Sequence, residues 1–125
     1  MSLETPLHRV QGLGSAHSGV RHFWRERVTA GALIPLSAWF VVSLLFLVGK
    51  TEGEVAAYFQ YPWNALLMGL FVIVSCVHMM LGLQVVIDDY VHAPGQRIFL
   101  LLLNRAFAWI VGGLSLVALL RLAVG

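Results

Sequence analysis

The chain has 125 residues, of which 59% are hydrophobic and only 11% charged, whereas ordinary soluble domains carry roughly 25% charged residues. Eight Lys and Arg against six Asp and Glu leave a formal charge of +2; with no basic stripe interleaved with aromatics, nucleic acid is excluded as a partner. A membrane helix takes about 20 mostly apolar residues, so the chain has room for three spans and too little left for an enzyme with its own water-filled cleft.

Residues 1 to about 22 form an extramembrane arm. They carry Pro6, His8, Gly12, Gly14, Ser15, His17, Ser18 and Gly19 without a lasting apolar period, which describes a partner-bound or mobile segment. A cleaved secretory signal is not expected, because the first apolar run begins only near Val28.

The first span is expected from about Val28 to Val48, with Pro35 inside it and Arg21, Arg25 and Arg27 ahead of it. Pro35 removes a backbone hydrogen bond and should kink the helix. A short polar stretch, Gly49 to Glu54, leads to Tyr58, Phe59, Tyr61 and Trp63, a cluster suited to an aromatic belt at the membrane interface. The second span is expected from Asn64 to Ile87, closed by Asp88, Asp89 and Tyr90, with His92, Pro94 and Gly95 making a tight connection. The third is expected from Ile98 to Leu120, with Arg105 snorkelling back to the near interface. The fold class is therefore an all-α membrane protein of three transmembrane helices, the anchor region covering residues 23–122. Its lone cysteine, Cys76, lies in the second span, so neither a disulfide framework nor a cysteine-rich metal site is available.

Orientation follows from the positive charges. With the amino terminus cytoplasmic and the carboxyl terminus outside, Arg9, Arg21, Arg25, Arg27, Arg97 and Arg105 lie inside, and only Lys50 and Arg121 lie outside, as the positive-inside bias prefers.

The ionisable residues at membrane depth carry what chemistry there is. His78 stands about nine residues before the end of the second span, roughly 14 Å deep. It can be a neutral histidine bonded across a helix pair, or an axial ligand of haem iron. Gly82, one turn on, would let a flat macrocycle approach, or serve close helix packing. Asp89, eleven residues after His78, returns to nearly the same helix face, so His78, Leu81, Gly82, Val85 and Asp89 line one stripe. Carboxylates at a helix C-terminus oppose the macrodipole; interfacial proton delivery, or pairing with Arg27 or Arg97, would compensate. Tyr90 can donate to a carbonyl oxygen or act as another belt residue. Arg27 abuts the first span, where a guanidinium could pair with a haem propionate or sit beside a quinone. His22 is a weaker candidate of the same kind, and His8, His17 and His92 read as ordinary exposed histidines.

Ser18-Gly19-Val20, Phe23 and Arg27-Val28-Thr29-Ala30, with His78, Gly82, Gln84-Val85 and Asp88-Asp89-Tyr90-Val91, resemble the small, D-type membrane-anchor family of succinate dehydrogenase, respiratory complex II. The most specific element is the histidine followed eleven and twelve residues later by Asp-Tyr. The resemblance implies packing against a second three-helix membrane anchor, the C-type, and docking of the iron–sulfur and flavoprotein subunits on the cytoplasmic or matrix side. It implies His78 as one axial ligand of a haem b shared with the second anchor, and Tyr90 as a hydrogen-bond donor to ubiquinone. Asp89 would belong to the neighbouring polar network, with Arg27 near the quinone or the haem propionates. FAD and iron–sulfur clusters would reside only in the partner subunits, and no catalytic residue is expected in this chain. Some relatives carry a histidine where this chain has Arg21, with His22 one place later. The implied setting is a bacterial inner membrane, preferred over a mitochondrial one for want of an Arg/Ser-rich presequence. Two other readings stay open: a structural anchor without haem, and a proton-relay or transport protein using His78 and Asp89.

Overall fold

A computed structural model describes Leu3, Thr5 to Leu7 and Ser18 to Gly125. Four helices follow from Ser18 onward: α1 (Ser18–Leu47), α2 (Glu52–Gln60), α3 (Pro62–Tyr90) and α4 (Pro94–Val124). Three of them, α1, α3 and α4, are long and apolar enough to cross a membrane. His8, Arg9 and His17 lie outside the described residues.

The helices are longer than the apolar runs that announce them. α1 begins at Ser18 rather than near Val28, so residues 18–22, which the sequence assigns to the arm, are its first turns. Arg, His, Trp and Glu form helix adequately; hydropathy marks only the part of a helix suited to lipid. α1 continues helical through Pro35, although the ring leaves the Gly31 carbonyl without its usual donor. Pro62 and Pro94 each stand in the first turn of their helices, where a missing N–H is no loss and the fixed φ favours the helix.

The stretch after Gly49 is not merely a polar connection. Gly49 takes φ +79°, a conformation glycine adopts without the Cβ penalty, and turns the chain out of α1. Thr51 then caps α2: its hydroxyl accepts from the Glu54 N–H, while the Glu54 carboxylate accepts from the Thr51 N–H at 2.8 Å. This reciprocal box satisfies two otherwise orphaned donors. Tyr58 of α2 reaches back to α1, its hydroxyl 2.7 Å from Ser43 Oγ and its ring 5.7 Å from that of Phe46. Phe59 is buried.

α3 is the middle helix, with α1 and α4 packed on it from different sides and α2 set against the far end of α3 and α4. The contacts fix antiparallel neighbours. Thr29 meets His78 and Phe40 stacks on Phe71 at 4.4 Å between centroids; Arg97 meets Asp88, Asn104 meets Met80, and Gly112 lies beside Cys76. The chain therefore runs up, down and up. At the α3–α4 seam a Cβ added at Gly112 would stand 3.3 Å from Cys76 Sγ, so glycine permits the close approach common between membrane helices. Asn104, Ala108 and Gly112, one turn apart, are the buried face of α4.

Candidate functional site

His78 is held by the neighbouring helix. Its Nδ1 lies 2.9 Å from the hydroxyl of Thr29 on α1, and that hydroxyl also reaches two carbonyl oxygens of its own helix, Arg25 at 2.7 Å and Glu26 at 3.1 Å. Threonine back-bonding to the preceding turn is a common habit in helices. Here it leaves the oxygen facing α3. Among the described residues, Nε2 of His78 has no hydrogen-bond partner. One turn on, Gly82 is open: a Cβ built there meets nothing within 4 Å.

The Thr29 bond also sets the register of α1 against α3. Thr29 stands eleven residues from the start of α1, and His78 twelve from the end of α3, about 16 and 18 Å respectively at 1.5 Å per residue. The cytoplasmic limit expected for the first span, near Val28, is therefore level with His78 and not with Ile87. Arg21 and Arg25 run alongside the Leu81 to Ile87 segment of α3, apolar but for Gln84, and Arg27 lies level with Met80. This segment of α1 carries polar side chains at a depth where α3 is apolar.

Arg27 is exposed, its guanidinium 5.0 Å from the centre of the Phe23 ring. A cation over an aromatic face is a modest attraction at an exposed site. It pairs with neither Asp88 nor Asp89. His22 Nε2 lies 3.3 Å from Glu26 Oε1, within ion-pair range but off hydrogen-bonding geometry. Of the acidic pair, Asp88 is the braced member: its Oδ1 accepts from Arg97 Nη2 at 2.8 Å and from Nε at 3.1 Å, closing the connection between α3 and α4. Asp89 and Tyr90 are exposed and, among the described residues, without polar partners. The stripe expected from His78 to Asp89 is graded, with Leu81 buried and the Asp89 end open.

The geometry thus brings His78 together with Thr29 and Asp88 with Arg97, and does not bring Arg27 to Asp89 or Tyr90. Thr29 has no role in the residue-by-residue sequence reading, since nothing in a helix-compatible threonine signals a partner 49 positions away. Its one mark is its place in the Arg27-Val28-Thr29-Ala30 run.

Comparison with known proteins bears on what such a bundle belongs to. The model of the succinate dehydrogenase/fumarate reductase transmembrane subunit family matches residues 1–120. The hydrophobic membrane anchor subunit of succinate dehydrogenase from Paracoccus denitrificans is 37% identical over 121 residues, 97% of this chain and 93% of that protein. The chain belongs to the succinate dehydrogenase membrane-anchor family. The corresponding protein of Rickettsia bellii is 31% identical over 100 residues, 80% of each chain, and the membrane anchor subunit of Reclinomonas americana 26% over 94 residues, 73% of this chain and 78% of that one. No solved structure matches it. As a succinate dehydrogenase anchor it is part of an oxidoreductase complex, and its membership implies the complex's other subunits. Among the described residues, no group of three or more His, Cys, Asp or Glu could hold a metal ion, so a metal at His78 would take its remaining donors from outside these side chains.

Proposed function

We propose that this succinate dehydrogenase anchor is of the D-type, co-ligating a haem b through His78 and helping to form the ubiquinone-reducing site through Tyr90. The observation that carries the reading is the Thr29 hydroxyl on His78 Nδ1, which leaves Nε2 for a ligand. The residues fit the group. His78 would hold the haem iron from this chain, with a second imidazole contributed by a C-type anchor. The open face at Gly82 leaves room for a flat group beside His78. When bound, the haem supplies a one-electron redox centre.

What this chain's own residues do is position and polarise. His78 holds its ring by Thr29. Tyr90, exposed at the end of α3, offers a phenolic O–H to a quinone carbonyl oxygen, which accepts it. Asp89 beside it is free of a competing cation among the described residues and can pass protons between water and the quinone site. Arg27, two residues before Thr29, is exposed near the level of His78 rather than of Tyr90, available to a haem propionate or to a quinone reaching that depth. The charged first turns of α1, level with apolar α3, favour docking of the iron–sulfur and flavoprotein subunits at that end. The positive-inside bias makes it the cytoplasmic end in a bacterial inner membrane. Electrons from succinate, oxidised in the flavoprotein, would reach the quinone through the iron–sulfur protein.

The Thr29–His78 bond also favours a second reading, in which the histidine only ties α1 to α3 and the anchor holds no haem. A reduced-minus-oxidised optical spectrum of the purified complex separates the two. A b-type signal that is lost or changes its ligand field in His78→Ala supports ligation; no such signal, or one indifferent to the substitution, refutes it.

A further inference from the structure

We infer that Thr29 is the positioning residue of His78: its hydroxyl fixes the imidazole in the tautomer with Nδ1 protonated, so that Nε2 is presented as the ligating nitrogen. The inference rests on the haem-ligand reading above.

The argument is one of proton counting. A threonine hydroxyl has one proton and two acceptor lone pairs. Thr29 Oγ1 lies 2.7 Å from the Arg25 carbonyl oxygen and 3.1 Å from that of Glu26, and carbonyl oxygens only accept. The single proton is therefore committed toward α1's own backbone. At 2.9 Å from His78 Nδ1 the oxygen has a lone pair left to offer, so the ring nitrogen must be the donor. Reversing that bond would set the hydroxyl oxygen against the Arg25 carbonyl at 2.7 Å with no proton between them. A neutral imidazole carries one N–H. With it on Nδ1, Nε2 keeps its lone pair.

The arrangement is the one that outer-shell partners of metal-binding histidines use: an acceptor on the far nitrogen fixes the tautomer, orients the ring and raises the basicity of the ligating nitrogen. The acceptor here is a hydroxyl whose direction is set by the turn before it. A more basic ligand favours ferric over ferrous iron and holds the potential down. Thr29 touches neither iron nor quinone and acts only through His78.

The test uses the assembled complex with Thr29→Val, Thr29→Ala and Thr29→Ser. Valine keeps the shape and removes the oxygen, alanine removes both, and serine keeps the hydroxyl. Valine and alanine are expected to raise the haem midpoint potential, alter the ferric electron paramagnetic resonance signal and speed haem loss by about 10- to 100-fold, while serine stays close to wild type. A wild-type potential and signal in both valine and alanine variants, with His78→Ala losing the haem, would overturn the role of Thr29 and leave the ligand assignment standing. Haem retained unchanged in His78→Ala instead brings down the ligand assignment, and Thr29's role with it. Should valine and alanine both prevent assembly, exchange of the His78 Nδ1–H in nitrogen-15 histidine-labelled wild-type and Thr29→Ser complexes decides: slow exchange with water in both, as a bond to the hydroxyl requires, supports the inference, and fast exchange in wild type refutes it.

Discussion

Tyr90 is 79% exposed and forms the last residue of α3, so its hydroxyl contributes nothing visible to this chain's own fold. That makes it a clean position for a test. Phenylalanine keeps the ring and removes one donor; losing a hydrogen bond of about 1 to 1.5 kcal/mol to the quinone corresponds to a fall of roughly tenfold. Tyr90→Phe is expected to lower succinate-to-quinone activity by that order while succinate oxidation with a soluble artificial acceptor persists. Equal quinone reduction in variant and wild type would remove Tyr90 from the site. At this scale the sequence is informative where chemistry is rare: one deep histidine and an Asp-Tyr at a helix end stand out against an apolar background. It is silent on how the two aspartates divide. Among the described residues, Asp88 is occupied by Arg97 and Asp89 is not, a distinction that depends on the turn between α3 and α4 bringing Arg97 back. It is equally silent on Asn104, whose amide donates to the Met80 carbonyl at 2.9 Å while its Oδ1 is buried without a partner among the described residues.

The elements are legible in number and order of spans, and less so in their limits. Apolar runs of about 20 residues locate a crossing, but a helix ends where its hydrogen bonds end, and the ten residues from Ser18 to Arg27 are helical without being apolar. α2 occupies a stretch whose composition suggests only connection and belt, although Thr51-Glu52-Gly53-Glu54 carries the spacing of a capping box. That box has a pH dependence of predictable sign. The Thr51 backbone N–H and hydroxyl hold the Glu54 carboxyl below its ordinary 4.5, with nearby Lys50 adding to the effect. Because the folded state favours the charged form, the box is fully made above that ordinary value and opens as pH falls below it, through the lowered one. Protection of the Thr51 and Glu54 amides, measured against their intrinsic exchange rates at each pH, is expected to fall on acidification in that range. Glu54→Gln, which cannot ionise, should abolish the dependence, while Thr51→Ala, which keeps the backbone N–H, should weaken it only in part; an acid response surviving in Glu54→Gln would locate its source elsewhere.

At the scale of the whole molecule, the described residues bury only Phe59, Leu81 and Ala108 among apolar side chains, and none of them completely. Large hydrophobics such as Ile34, Leu45, Trp109 and Leu114 are exposed along the long helices. A water-soluble domain could not tolerate this; lipid and the complex's other subunits must cover those faces. The same feature leaves the bundle's direction in the membrane to its charges rather than to its packing. Lys50 and Arg121 stand at the α2 end, against Arg21, Arg25, Arg27, Arg97 and Arg105 toward the other, and positive charge is retained on the cytoplasmic side. The expectation is directly measurable with single cysteines in a Cys76→Ala background. Cysteine at Glu52, at the exposed start of α2, is expected to react with a membrane-impermeant maleimide on intact cells or spheroplasts. Cysteine at Gly95, in the turn before α4, should react only after the membrane is opened. The reverse pattern would turn the bundle over, moving Asp89 and Tyr90 to the outer face, and would remove the topological basis for the proposed quinone site at that end.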